Sequence, residues 1–354
     1  MYNKINYTKK GISLKLNFRR GSAFASKKAR EYLKDKKPQD IKNITVIRHA
    51  AIGDFMNIRP FLIELRKFFP NAKITLSVVK HYMYGIPDDL IDDLHVMSRY
   101  KEDGSKTGIF SRIKEAKELP VQDIIFDLTD STLSLLLVFL SQAQLKIGYP
   151  YRTIRRMFFD ITTLRSDFVV EAVSVEHMLN ILGAKTEFPL HYGLGKSYPK
   201  TEDKKQIVYF AGASTKVKCW EEKKFCDLIA KMSQNYQDYD HVILQGIKDD
   251  EKFYEIYEPL QERKNVKLQE VMPIEKVMQF LANSRCLVSN DTGVRNMGIA
   301  LEIPTVGIFF HIPPFRYWPR EEKHECVFNV EYTSPDVEDV YISTQQLIDK
   351  LYEK

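Results

Sequence analysis

Asn290-Asp291-Thr292-Gly293 puts a carboxylate, a hydroxyl and a glycine where an apolar run, Cys286-Leu287-Val288, gives way to a short helical pattern. A second apolar run, Pro304–Phe310, follows. A strand–glycine turn–helix unit aims free backbone N–H groups at its loop, which suits it to an anion such as a phosphate. Asp291 and Thr292 add groups that can orient a sugar. A second stretch, Phe210 to Trp220, opens from the run Ile207–Phe210 into Gly212, Ser214, Thr215, Lys216 and Lys218. Loop amides, hydroxyls and an ammonium make a phosphate cradle; a surface loop with two solvated lysines accounts for the same residues. The spacing excludes G-x-x-x-x-G-K-[ST].

A third stretch, Ile47 to Met56, contains Gly53, which permits a tight turn, and Asp54 at a helix start. Asp54 is either an N-cap, contributing ~1 kcal/mol, or a carboxylate able to act as general base. A fourth, Leu244 to Glu251, runs from a strand into Asp249, Asp250 and Glu251. One of these acids can bind ribose hydroxyls near a strand end. Complementing the helix dipole is the preferred reading of Asp250 and Glu251.

The elements that position these stretches alternate from Ile44 onward. Strand Ile44–Ile47 precedes a helix over Asp54–Phe69, with apolar residues at Phe55, Ile58, Leu62, Leu65 and Phe68 and a stop at Pro70. Strands follow at Ile74–Val79 and Ile124–Phe126, then a buried helix at Leu133–Leu140. A second set has strands at Ile207–Phe210, His241–Leu244, Cys286–Val288 and Pro304–Phe310. Its helices are expected over Glu221–Gln234, Asp249–Arg263 and Ile274–Ala282. Strand–helix alternation predicts an α/β protein of two Rossmann-like, doubly wound domains facing one another across a cleft. Residues 1–40 form a basic extension, 41–195 the first domain and 196–354 the second, joined by the Gly-, Pro-, Lys- and Ser-rich stretch Tyr192–Lys205.

Composition narrows the class. With 44% hydrophobic and 28% charged residues the chain is in the ordinary globular range, which excludes a disordered or fibrous protein. Cys219, Cys226, Cys286 and Cys326 show no C-x-x-C pair, so the expectation is thiols of a reducing compartment and no metal site. The N-terminus has no leading apolar run, and Leu133–Leu140 is far shorter than the ~20 residues of a membrane span. A cytoplasmic protein is expected. Residues 1–43 carry 13 Lys and Arg against three acids, interspersed with apolar side chains. Such a leader can lie on an anionic membrane surface or simply be solvated. Nucleic acid is not expected as a partner, because no binding motif accompanies the charge.

In order and spacing the chain resembles glycosyltransferase family 9, the bacterial heptosyltransferases that transfer heptose from ADP-heptose to the lipopolysaccharide core. Val46 to Asp54 with Pro60 is similar to the family's I-R-x-x-x-x-G-D…P start. Gly212 to Trp220 is similar to its G-A-S-x-x-x-K-x-W loop, and Asp291-Thr292-Gly293 with Ile303-Pro304-Thr305-Val306 to its D-T-G…P-T-V element. Asp127 to Ser134 and Ile147-Gly148-Tyr149 add minor support. The likeness covers about residues 43–350. It implies a GT-B fold and inverting transfer with no metal and no cofactor beyond the ADP-sugar donor. Asp54 would be the base, and Lys218 with Ser214, Thr215 and the amides at Thr292-Gly293 would hold the diphosphate. Asp291 would position the sugar, with Asn296 and Asp249 on the donor side. Arg48, Arg152 and Arg155 would meet a phosphate-bearing lipopolysaccharide core or lipid A acceptor, at the inner face of the cytoplasmic membrane. The chain departs from the family at Arg295, Asn296 and Thr129 and at the pair Phe310-His311, so the donor sugar stays open. A UDP-sugar transferase or epimerase and a catalytically silent nucleotide-sugar binder are the alternatives.

Overall fold

The computed structural model describes residues 23–150 and 152–353. The six cations of residues 1–22 lie outside them, so the membrane role expected of that stretch is outside the described residues. The chain forms two compact units. The first holds the described residues up to His49, Arg66–His81 and Ile91–Lys185, and the second holds Ala50–Leu65, Tyr82–Leu90 and Thr186–Lys354.

In chain order the elements that begin or end in the first unit are β1 (Phe24–Ala25), α1 (Lys27–Lys34), β2 (Asn43–Ile47), α2 (Ile52–Phe68), β3 (Lys73–Val79) and β4 (Asp93–Met97). They continue with α3 (Ile109–Lys117), β5 (Ile124–Asp127), α4 (Thr132–Leu140), β6 (Leu145–Gly148), β7 (Ile161–Thr162) and α5 (Glu171–Asn180). Its sheet has the order β1-β7-β6-β5-β2-β3-β4. All neighbours are parallel except β1, which runs antiparallel to β7. Parallel strands covered on both faces must be apolar throughout. Ile44, Val46, Ile47, Ile124, Ile125 and Phe126 are accordingly buried. Beneath α3 and α4 the core gathers Ile47, Val79, Met97, Ala116, Leu133, Leu137, Val138 and Phe159.

The second unit contains β8 (Gln206–Phe210), α6 (Glu222–Asn235), β9 (Asp240–Leu244), α7 (Tyr254–Tyr257), β10 (Val266–Gln269) and α8 (Ile274–Ala282). It continues with β11 (Cys286–Asn290), α9 (Gly293–Ala300), β12 (Thr305–Phe309), β13 (His324–Phe328) and α10 (Val337–Tyr352). Its six strands are all parallel, in the order β10-β9-β8-β11-β12-β13. Two doubly wound parallel sheets are what the alternating pattern predicts.

Three differences from the sequence reading have local causes. The expected basic extension is in part structured: Phe24 and Ala25 pair with Thr162 and Ile161, and Ser26 Oγ caps α1 by accepting from the Ala29 N–H at 3.0 Å. The expected helix over residues 249–263 is broken into a 3₁₀ turn, the single turn α7 and a second 3₁₀ turn. Phe253 sits at a left-handed φ of 54° ahead of α7, and Pro259 removes a donor after it. Helix α2 begins at Ile52, so Asp54 is its third residue and not its N-cap. Among the described residues no helix is long and apolar enough to cross a membrane.

Candidate active site

The candidate groups of the second unit come from loops at the carboxyl ends of three adjacent parallel strands, β9, β8 and β11, where doubly wound sheets hold ligands. After β8 the chain extends through Ser214 and Thr215, both exposed, into a 3₁₀ turn over Lys216–Lys218. The Lys218 N–H donates to the Thr215 carbonyl at 3.0 Å. Its ammonium meets Asp291 Oδ2 at 2.6 Å, both groups partly buried. The two motifs are therefore one site. Asn290 locks them: its Nδ2 donates to the Ala211 carbonyl at 2.6 Å and its Oδ1 accepts from the Trp220 N–H at 3.0 Å. Sequence reasoning gave Asn290 no role, although its place in N-D-T-G was the available signal.

Helix α9 opens at Gly293, with Thr292 at the N-cap position making no side-chain capping bond. Facing it in the same unit is the first turn of α2. A Cβ built on Gly53 would lie 2.7 Å from Asn296 Nδ2 and 3.0 Å from the Gly293 Cα. One on Gly293 would lie 3.1 Å from Ile52 Cγ2 and 3.5 Å from the Gly53 nitrogen. Two helix N-termini thus converge through paired glycines, and their positive ends make the junction a place for an anion. Asp54 follows Gly53 directly at this junction. Helix α2 is held in the unit by buried Arg59, whose Nε donates to the Tyr192 carbonyl at 2.7 Å and whose Nη1 and Nη2 pair with Asp89 at 2.8 and 2.5 Å. Burial raises the Asp89 carboxyl, but the Arg59 hydrogen bonds outweigh it and hold the group below the usual carboxylate range.

Gly53→Ala is expected to lower the melting temperature, because the Asn296 amide can shift but the Gly293 backbone cannot. The overpacking cost of about 1–3 kcal/mol outweighs the ~1 kcal/mol an alanine gains in a helix. A melting temperature at or above that of the unsubstituted chain would show that the junction is loose.

Asp249 is exposed, while Glu251 is buried and turned toward the loop that follows β8. Lys248 Nζ bridges the Ala213 carbonyl at 3.1 Å and Glu251 Oε1 at 2.8 Å. Gly246 and Gly212 make room for this carboxylate, since a Cβ on Gly246 would collide with it and one on Gly212 would lie 3.0 Å from Glu251 Oε1. Glu251, read from sequence as a dipole partner, is instead a brace for the loop. Arg295 is fully buried beneath α9, its Nη1 donating to the Tyr317 carbonyl at 2.7 Å and its guanidinium stacked on Phe309. It packs inward, and Gly307 vacates the space it fills.

The arginines of the first unit are placed differently. Arg48 is buried, not presented to an acceptor: its Nη1 donates to the Leu128 carbonyl and pairs with Glu171 Oε1 at 3.0 Å beside the Tyr149 hydroxyl. Ending a buried strand, it needs an internal partner for its charge, and Glu171 supplies one. Arg155 Nη1 donates to Asp130 Oδ1 at 2.9 Å and clamps the left-handed turn at Asp130. Arg152 is exposed at the head of a 3₁₀ turn over Thr153–Phe158. At the end of β5, Asp127 accepts from the Thr129 and Asp130 N–H groups and from Ser134 Oγ, yet burial pushes its carboxyl up to about 6. Among the described residues no three His, Cys, Asp or Glu side chains converge as a metal site.

Two parallel-sheet units, one with the Lys218 loop tied to a D-T-G turn, are the arrangement of the GT-B class of glycosyltransferases. The chain belongs to glycosyltransferase family 9 (heptosyltransferase), whose family profile matches residues 112–345. That span contains the Lys218 loop and the Asp291 turn and begins after Asp54. Among solved structures the fold is similar to E. coli heptosyltransferase WaaC with ADP-2-deoxy-2-fluoro heptose, at 16% identity and a TM-score of 0.71 over 87% of this chain and 99% of that one. It is also similar to a family 9 glycosyl transferase from Veillonella parvula, at 20% identity and 0.67 over 87% and 97%. A more distant likeness is to UDP-GlcNAc 2-epimerase from Neisseria meningitidis bound to UDP-GlcNAc, at 13% and 0.52 over 87% and 92%. No curated protein matches the chain.

Proposed function

We propose that the chain is an inverting, metal-independent transferase that moves heptose from ADP-heptose to a lipopolysaccharide or lipooligosaccharide core acceptor. The observation that carries this reading is the convergence, in one unit, of Gly53-Asp54, Gly293-Asn296 and the Lys218–Asp291 pair at 2.6 Å. Asp54 takes the proton of an acceptor hydroxyl as its oxygen forms the new bond to the anomeric carbon. On the opposite side of that carbon the bond to the diphosphate oxygen breaks and ADP leaves. The leaving group gains negative charge, which the Lys218 ammonium, the hydroxyls of Ser214 and Thr215 and the amides at Thr292-Gly293 stabilise. Asp291 holds Lys218 in place and orients the sugar beside Asn296. Arg152 offers a cation to an acidic acceptor at the cytoplasmic face of a membrane, while Arg155 is held by Asp130. The ADP-heptose analogue held by the structurally similar WaaC supports the choice of donor.

Similarity to an epimerase bound to UDP-GlcNAc favours UDP-sugars as the second reading. Calorimetry against ADP, UDP, GDP and CDP without added metal separates the two. ADP is expected to bind selectively, and Lys218→Ala to weaken it about tenfold to a hundredfold, the ~1.5–3 kcal/mol of a hydrogen bond to a charged group. A preference for UDP would move the donor to the second reading. Unaltered ADP affinity in Lys218→Ala would remove Lys218 from the phosphate site, and no response to any nucleotide would leave a silent protein.

A further inference from the structure

Three adjoining elements on one layer of the first unit leave large apolar side chains in solvent. Helix α3 packs on α4, and α4 packs on the 3₁₀ turn over Thr153–Phe158. Phe110 on α3 is 86% exposed, Phe139 on α4 64%, and Ile154 and Met157 on the turn 74% each. Ile154 and Met157 are three residues apart in a 3₁₀ turn, so they stand on one side of it. Phe139 stacks edge-on against Phe158 from that turn, with ring centroids 6.1 Å apart. A lone exposed apolar residue needs no explanation, but a cluster rimmed by polar groups marks a contact surface.

The rim is cationic. Phe110, Lys114 and Lys117 recur at i, i+4 and i+7, all exposed, on one stripe of α3, which ends at the exposed acid Glu118. Arg152 opens the 3₁₀ turn, and Arg156 lies over the ring of Phe24, 5.6 Å from its centroid. Residues 1–22, which lie outside the described residues, carry six cations and no acid in the sequence ahead of Phe24. A second copy of this face would oppose cation to cation. A surface with an apolar interior and anionic headgroups complements both features.

We infer that the face formed by α3, α4 and the 3₁₀ turn over Thr153–Phe158 seats the chain on an anionic lipid bilayer, with Phe110, Phe139, Ile154 and Met157 inserted among the headgroups. The inference deepens the partner side of the proposed function. It rests on that reading for its purpose, access to a lipid-linked acceptor, and not for its observations.

The test is flotation of the full chain with vesicles of phosphatidylglycerol and phosphatidylethanolamine, compared with vesicles of phosphatidylcholine alone. No donor or acceptor is present, so the outcome is independent of whether the transferase assignment stands. The unsubstituted chain is expected to float with the anionic vesicles only. A Phe110→Ser/Phe139→Ser/Ile154→Ser/Met157→Ser variant is expected to bind them roughly tenfold or more weakly. Its nucleotide binding should be unchanged and its melting temperature should fall only slightly, because all four side chains are largely exposed and only the Phe139–Phe158 ring contact is lost. Flotation of the variant equal to that of the unsubstituted chain, or of the unsubstituted chain equally on neutral vesicles or on neither, overturns the inference. So does sedimentation showing a dimer that the four substitutions dissociate, which would make a second copy the occupant.

Discussion

Replacing Asp54 by Asn is expected to lower kcat about 100- to 10,000-fold and to leave ADP affinity unchanged. The substitution keeps the shape of the side chain and its place in the first turn of α2, so the junction with α9 persists. What it removes is a carboxylate able to accept a proton. The competing account of Asp54, an acid complementing the helix dipole, predicts a loss of ~0.3–1 kcal/mol in stability and none in the chemical step. Single-turnover kinetics with a saturating donor separates the two, because product release then drops out of the measurement. Full turnover by Asp54→Asn would leave the site without its base. Paired with Lys218→Ala, the variant divides the site in two: one substitution acts on the chemical step with binding intact, the other on binding of the diphosphate.

Acid is expected to open the second unit before the first, and the reason is a set of buried histidines. His241 is held neutral between the Tyr209 hydroxyl at 2.9 Å and the Tyr236 carbonyl at 3.1 Å, and burial lowers it to about 4. His324 sits against Thr305 Oγ1 at 2.9 Å and is lowered by burial, with help from Arg295 and Lys323, to about 3. In the first unit His49 bonds Ser77, which bonds His95, and burial lowers His49 to about 3.

A histidine whose folded value is depressed stays neutral in the native state while the unfolded chain takes up its proton. Stability is therefore lost as pH falls below about 6.5, at roughly 1.4 kcal/mol per pH unit for each such group. Asp127 has the opposite sign. Its folded value near 6 stands above the unfolded one, so its protonated form favours the native state and stability rises as pH falls from about 6 to about 4. In the first unit Asp127 offsets His49 over that interval, leaving His177, which burial also lowers. In the second, His241 and His324 add to about 3 kcal/mol per pH unit. Trp220 and Trp318, the chain's two tryptophans, both lie in the second unit, so their fluorescence reports that unit alone. Between pH 6 and 4 the tryptophan signal should change before the far-ultraviolet circular dichroism is lost. Coincident transitions would show that the two units unfold as one or that these histidines are not what sets acid stability.

The amino-acid sequence by itself determined the class of fold, because its apolar runs and helical spacings are local and a strand buried on both faces has to be apolar. It also determined where the loops would lie, since Gly212, Gly246, Gly53 and Gly293 each mark a strand end or helix start that needs close backbone approach. Periodicity could not foresee the breaking of the helix at Phe253, where the backbone adopts a left-handed conformation.

The meeting of separated residues was decided by the tertiary structure alone. Lys218 and Asp291 are 73 positions apart and share a 2.6 Å contact, because β8 and β11 are neighbours in the sheet although distant in the chain. Arg48 and Arg295 look alike in sequence to any exposed arginine, yet Arg48 pairs with Glu171 and Arg295 with the Tyr317 carbonyl and the ring of Phe309. Whether a charged side chain faces solvent or is buried depends on what the fold brings opposite it, and no spacing along the chain encodes that.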